Sequence, residues 1–345
     1  MSQQPSITPR PTLLIIGAGG FIGGFIAKIG VERGYNVWAG VRETTSTRYL
    51  DELPVELVTF DYDNPDQLRE ALMENAPSDR GWDYIIWNLG ATKCGNFQDF
   101  NRINYLYLRD FCQALISCGM VPKRFLFMSS LSALGPADEK DYTPITSRTI
   151  PNPNTRYGLS KIKAETYLET LPDFPWIIFR ATGVYGPHEK DYLMMIKSID
   201  RHIDVGMGYR KQLLTFIYVE DLVNAMFDAF KAGVEKKKYI ISEPRSYSQK
   251  EFRQIVLKHL GGKWALPLKL PMWAVYLASF GAEMWGKARL QPSTLNRDKF
   301  KIMKQRNWSC DVSDAQRDFG FNPQFDLDRG IAATVAAYKE SKSHH

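Results

Sequence analysis

An apolar run, Thr12-Leu13-Leu14-Ile15-Ile16, breaks into Gly17-Ala18-Gly19-Gly20-Phe21-Ile22-Gly23-Gly24 and then resumes with Phe21, Ile22, Phe25, Ile26 and Ile29 at helical spacing. Such a run suits a strand buried on both faces, and the glycines mark the joint to a helix. A pyrophosphate can approach that joint only where no Cβ intervenes, and the first helical turn offers N–H groups and the positive end of its dipole. The spacing is Gly17-x-x-Gly20-x-x-Gly23, with Ile22 where a G-x-G-x-x-G pattern would need glycine. Glycine-rich strand-to-helix turns also arise for packing alone, so the pattern gains meaning only from the segments that succeed it along the chain.

Those segments alternate regularly. A helix to about Arg33 is stopped by Gly34, and residues 35–41 read as a second strand. At its end, an acidic residue would bind ribose hydroxyls and repel a 2′-phosphate; here Val41 takes that place and Arg42 follows. The planar fork of Arg42 suits a phosphate, with Thr44, Thr45 and Ser46 as further donors. NADP(H) is therefore favoured, although an arginine here can also stack on adenine and NAD(H) stays the alternative. A third strand over 55–60 ends in Asp61-Tyr62-Asp63, and 66–74 reads as helix. Asp61 could accept from an adenine amino group or cap that helix. Residues 83–88 form a fourth strand ending in Leu89-Gly90-Ala91-Thr92, small enough to let a cofactor lie across the strand tips. A helix over 97–117 carries Asn104, and a fifth strand over 124–128 runs into Ser129-Ser130-Leu131-Ser132. Strands alternating with helices predict an α/β fold, a Rossmann-type doubly wound parallel sheet whose ligands sit beyond the carboxyl ends of the strands.

Tyr157-Gly158-Leu159-Ser160-Lys161 opens the next helix, to about Glu169. Residues four apart share a helix face, so the Lys161 ammonium is expected near the Tyr157 phenol. A phenol loses its proton near pH ~10, and a neighbouring positive charge moves that towards neutrality, where the group works as a general acid or base. Taken alone the pair equally describes two surface side chains.

In this sequence of elements the chain resembles the extended short-chain dehydrogenase/reductase family, also called the NAD-dependent epimerase/dehydratase family, over nearly its whole length. Gly17, Gly20 and Gly23 match the family's cofactor turn, Tyr157 and Lys161 its catalytic pair, and Asn104 its relay asparagine. Gly135 closes the family's serine motif five residues after Ser130, which selects Ser130 over Ser129 and Ser132. The segments 180–187 and 215–222 match two later landmarks, and 307–323 resembles the family's ending. The resemblance implies catalytic roles for Ser130, Tyr157, Lys161 and Asn104. It implies cofactor contacts at Gly17, Gly20, Phe21, Ile22, Gly23, Arg42, Asp61, Tyr62, Leu89, Gly90 and Ala91, besides Tyr157 and Lys161, and a homodimer. Two departures bear on the substrate. Sugar-nucleotide members carry an asparagine where this chain has Gly183 and an arginine where it has Leu214, both of which hold a nucleotide diphosphate. The stretches 17–42 and 129–136 instead resemble the dihydroflavonol-reductase and 3β-hydroxysteroid-dehydrogenase branch, which acts on apolar alcohols and ketones.

Composition sets the remaining bounds. With 345 residues, 44% apolar and 24% charged, there is room for a full-sized core. The polar first nine residues show no secretory signal, and no apolar run reaches the ~18 residues of a membrane span. Cys94, Cys112, Cys118 and Cys310 lack paired ligand spacing, so they read as reduced packing thiols of a cytoplasmic protein with no metal site. The net charge of +6 clusters only at 236–238 and 297–306, each read as a solvated face and not a nucleic-acid site. Within 264–290, rich in Trp, Met and Leu, an apolar helix over about 272–285 is too short to span a bilayer. It reads as core of the substrate region, as a lid over an apolar substrate, or as a membrane-surface contact limited by Lys269 and Glu283, with Trp and Met richness favouring the lid. The expected division is a nucleotide-binding domain over 10–186 and 214–232, and a smaller substrate-binding domain over 187–213 and 233–341. His344 and His345 read as a tail. Three functions stand: an NAD(P)-dependent oxidoreductase of an apolar, steroid- or terpenoid-like ketone or alcohol; a nucleotide-sugar epimerase or dehydratase with tightly bound NAD; and a non-catalytic dinucleotide sensor, against which Ser130, Tyr157 and Lys161 count.

Overall fold

The computed structural model describes residues 10–288 and 297–343. In chain order the strands are β1 (Thr12–Ile16), β2 (Asn36–Val41), β3 (Val55–Thr59), β4 (Tyr84–Trp87), β5 (Arg124–Ser130), β6 (Trp176–Ala181), β7 (Gly183–Tyr185), β8 (Ile203–Met207), β9 (Phe216–Tyr218), β10 (Lys237–Ile241) and β11 (Leu266–Leu270). Seven of them form one parallel sheet in the order β10-β6-β5-β4-β1-β2-β3. β1 lies between β2 and β4, with Ile16 opposite Gly40 on one side and Trp87 on the other. The winding reverses there, and the crevice at the carboxyl ends is where such sheets take ligands.

The sheet's hold on its helices follows from its residues. Leu13, Leu14, Ile15 and Ile16 are completely buried, each worth about 1.5–3 kcal/mol relative to an exposed position. Odd and even members serve opposite faces. Leu13 and Ile15 pack with Ile26, Ala27 and Phe227 from helices Phe21–Glu32 and Val219–Lys231. Leu14 and Ile16 pack with Leu68, Phe111 and Ala164 from Pro65–Asn75, Tyr107–Ser117 and Arg156–Glu169. A third cluster joins β7 and β9 to the helices Lys190–Asp200, Gln249–His259 and Leu327–Ser343.

Four departures from the expected elements matter for the site. The helix expected over 97–117 is interrupted by a π-helical turn, Arg102–Leu106, with Asn104 at its centre. β5 continues through Ser129 and Ser130, so both serines stand on the strand end. The segment 237–241, expected in the substrate region, is the edge strand of the large sheet, beside β6, so the larger unit does not stop at residue 232. The apolar helix, Met272–Ala288, is not a core helix: Trp273, Leu277, Phe280 and Met284 are exposed, while Val275, Ser279 and Glu283 are buried. No helix among the described residues is long and apolar enough to cross a membrane. Residues 289 and 290 of the expected contact stretch, the first nine residues and the tail at His344 and His345 lie outside the described residues.

Candidate active site

Gly17 follows β1 at φ +85°, and its N–H donates to the Gly40 carbonyl at 3.0 Å. A Cβ there would stand 2.9 Å from the Leu89 backbone, and one at Gly23 would overlap the Gly17 carbonyl oxygen. Gly20 caps the Phe21–Glu32 helix with no side-chain bond to its first N–H groups. The turn is thus a cradle that side chains would fill, with helix-end N–H groups at its floor, and it fits a dinucleotide pyrophosphate. Phe21 and Ile22 begin the helix half-buried against the core.

Across the crevice, Gly90 occupies the ledge after β4. A Cβ there would lie 3.0 Å from Lys161 Nζ and 3.2 Å from Asn104 Oδ1, so glycine keeps open the space over both groups. Asn104 is fully buried and clamps the ledge: Oδ1 accepts from the Ala91 N–H at 2.8 Å, and Nδ2 donates to the Ala91 carbonyl at 3.0 Å and to Ser160 Oγ at 2.9 Å. The π turn supplies the offset that aims Asn104 at this loop and not along the regular helix face.

Thr155 caps the Arg156–Glu169 helix by accepting from the Gly158 N–H. A Cβ at Gly158 would overlap the Ser132 carbonyl oxygen, so this glycine lets the helix sit against the serine turn. Tyr157 is there beside Ser130, whose Oγ accepts from the Ser132 N–H at 3.2 Å. Burial pushes the Tyr157 phenol up to about 12, opposed by the Ser130 hydroxyl. Lys161, 4% exposed, donates to the Met128 carbonyl at 2.8 Å and lies 4.8 Å from the centre of the Phe127 ring. Burial lowers its ammonium to about 7, while the Glu165 carboxylate raises it. The expected lowering of the phenol by Lys161 is therefore not what this geometry gives: the ammonium is turned to Met128 and Phe127, and burial dominates at Tyr157.

Arg42 is exposed at the end of β2; its N–H donates to Thr45 Oγ1 at 3.1 Å, and among the described residues no carboxylate pairs with it. Asp61 is exposed and accepts from the Asp63 N–H at 2.9 Å; the cap of the following helix is Asn64, not Asp61. The Tyr62 side chain does not line the crevice. Its ring is buried, stacked on Tyr107 with centroids 5.3 Å apart, and its hydroxyl has no partner.

Sequence reasoning missed three groups. Arg180, 3% exposed, is paired to the fully buried Glu165 at 2.6 Å, with Ser129 donating to the same carboxylate. This triad fixes the helix carrying Tyr157 to β5 and β6. Arg156, beside Tyr157, donates from N–H and Nε to Asp298 at 3.2 and 3.1 Å and lies 3.9 Å from Glu283, which also binds Arg297. Tyr192 is the third: its hydroxyl occupies the space that any side chain at Gly183 would need. Only the Glu165 position, one turn beyond Lys161, carried a local signal.

A profile of the NAD dependent epimerase/dehydratase family matches residues 13–242 of the 345. The chain belongs to that family. The glycine turn, the serine strand end and the Tyr-x-x-x-Lys helix all lie within the matched span. A ceramide reductase of Caulobacter vibrioides is 24% identical over 332 residues, 96% of this chain and 95% of that protein. The human dTDP-D-glucose 4,6-dehydratase is 27% identical over 122 residues, 32% of this chain and 33% of that protein. Among solved structures, the UDP-glucose 4-epimerase of Thermotoga maritima with UDP-glucose has a TM-score of 0.76 at 18% identity, covering 96% of this chain and 99% of that one. The dTDP-glucose 4,6-dehydratase of Bacillus anthracis in complex with NAD has 0.75 at 15%, covering 96% and 98%. These two enzymes share this chain's fold over nearly its full length.

Proposed function

We propose that the protein is an NAD(P)-dependent oxidoreductase interconverting an apolar ketone and its alcohol. The observation that carries the reading is the closed position at Gly183. Where sugar-nucleotide relatives place an asparagine, the Tyr192 hydroxyl fills the volume, and Leu214, in place of their arginine, packs against the Tyr185 and Phe216 cluster. Two groups that would hold a diphosphate are replaced by aromatic and aliphatic surface, which suits a ligand of low charge. The end-to-end similarity to a ceramide reductase supports the same class, widened from steroid- or terpenoid-like molecules to long-chain lipids.

In this reading Gly17, Gly20, Gly23, Gly90 and Ala91 hold the dinucleotide, and Arg42, beside Val41, grips an adenosine 2′-phosphate, which favours NADP(H). The nicotinamide, when bound, supplies or accepts the hydride. Tyr157, protonated at neutral pH with its phenol near 12, gives its proton to the substrate oxygen on reduction, and Ser130 hydrogen-bonds that oxygen. Lys161, under the Gly90 ledge, holds the ribose side of the crevice.

The test is a panel of steroid, terpenoid and long-chain keto lipids, with the corresponding alcohols, run with both cofactors. Turnover of an apolar carbonyl is expected. Tyr157→Phe should lower it by about two orders of magnitude or more while leaving cofactor affinity nearly unchanged. Activity on UDP- or dTDP-sugars, with NAD retained through purification, would replace this reading by the epimerase one.

A further inference from the structure

β8 and β11 form a separate two-stranded parallel ribbon in which Leu266 lies opposite Ile203 and Leu268 opposite Val205. These four side chains share one face of the ribbon, and all four are exposed. The chain then turns through Pro271 into the Met272–Ala288 helix. There Trp273, Leu277, Phe280 and Met284, spaced by four, three and four residues, form one exposed stripe, with Trp273 68% exposed. Monomeric surfaces rarely leave such a run of large apolar groups uncovered.

The exposed charges on the two segments that carry this surface have one sign. Within 201–211 and 261–284 the exposed ionic residues are Arg201, Arg210, Lys211, Lys263 and Lys269. The two acids of these segments are turned inward, Asp204 onto Arg253 at 3.2 Å and Glu283 onto Arg297 at 2.9 Å. Lys263 pairs with Asp200, which it shares with Lys342. An apolar face with a cationic rim complements a lipid surface bearing anionic headgroups. It complements a second copy of itself poorly, since self-pairing would bring the same cations together.

The inner side of the same helix reaches the catalytic helix. Glu283 faces Arg156 at 3.9 Å, and Arg156 is held by Asp298 of the next helix, Arg297–Lys304. Tyr157 is the following residue. The helix carrying the outward stripe and the helix carrying the candidate proton donor are therefore joined through one ion network.

We propose that this ribbon face and helix stripe dock on an anionic bilayer, setting the mouth of the crevice against the lipid from which an apolar substrate is drawn. The purpose assigned to the docking rests on the apolar-substrate reading; the docking itself rests on the exposed face and its charges.

The test uses the full chain with vesicles of phosphatidylcholine, with and without phosphatidylglycerol, in low and high salt. Co-sedimentation is expected with the anionic vesicles and should weaken with salt. Brominated acyl chains should quench the indole fluorescence, a readout that needs no variant. The triple substitution Trp273→Ser, Leu277→Ser, Phe280→Ser should lower vesicle affinity by about tenfold or more, with turnover of a water-soluble short-chain ketone unchanged. Absence of both sedimentation and quenching for the unaltered protein would overturn the proposal, as would a dimer that the triple variant dissociates without any vesicle binding. Vesicle binding without turnover of any apolar carbonyl would leave the docking standing and remove the proposed activity.

Discussion

Arg42 follows Val41, which stands where an acidic residue would select against a 2′-phosphate, and among the described residues no carboxylate pairs with Arg42. If it grips that phosphate, Arg42→Glu should weaken NADPH binding by about tenfold or more, because a charge-assisted bidentate contact is replaced by repulsion, and should leave NADH nearly untouched. Titration of both cofactors by fluorescence reads the difference; equal losses would remove the phosphate role. At the level of single residues the sequence is most legible where local chemistry is self-declaring, as in Gly17, Gly23 and the Tyr157–Lys161 spacing. It is least legible where a side chain's role is set by its burial. Tyr62 has the position of a crevice residue and is a core ring, because the turn after β3 carries it inward beside Phe60 and Trp87. The phenol of Tyr157 is raised and not lowered, since spacing fixes which residues share a helix face but not which carbonyl an ammonium finds first.

Among the elements, the strap made by Met272–Ala288 and Arg297–Lys304 is tied in part by the Glu283 carboxylate. Hydrogen bonds from Arg297, with further help from Arg156, hold Glu283 down at about 2, against 4.5 for the free group. The folded-state value is depressed, so this contribution is complete above pH 4.5 and is lost as the pH falls towards 2. Acid titration followed by indole fluorescence should therefore show the strap loosening in that window, and Glu283→Gln should remove this component. A transition unaltered by the substitution would assign the window to other carboxylates. Element identity in the large sheet is readable from sequence because buried parallel strands are nearly unbroken apolar runs. The π turn at Asn104 is not, since it answers to the Ala91 backbone across the crevice and leaves no periodic trace. Nor is β10, whose Lys237-Lys238 start reads as a solvated charge cluster although Tyr239, Ile240 and Ile241 complete the sheet edge. The Met272–Ala288 helix is apolar on more than one side, so its composition does not say which side faces out.

Over the whole molecule, cofactor affinity is linked to stability. The proposed dinucleotide cradle spans the turn after β1, the ledge after β4 and the helix bearing Lys161, all of which exist only in the folded chain. A ligand at about a hundred times its dissociation constant adds roughly 2.7 kcal/mol to such a fold. Thermal unfolding should accordingly shift upward with NADPH, and by less with the same concentration of NADH; equal shifts would argue for a site indifferent to the 2′-phosphate.

Gly183 and Tyr192 compete for one small volume. A longer side chain at position 183 can be accommodated only once position 192 is shortened, so these two positions, nine residues apart, can change only in concert.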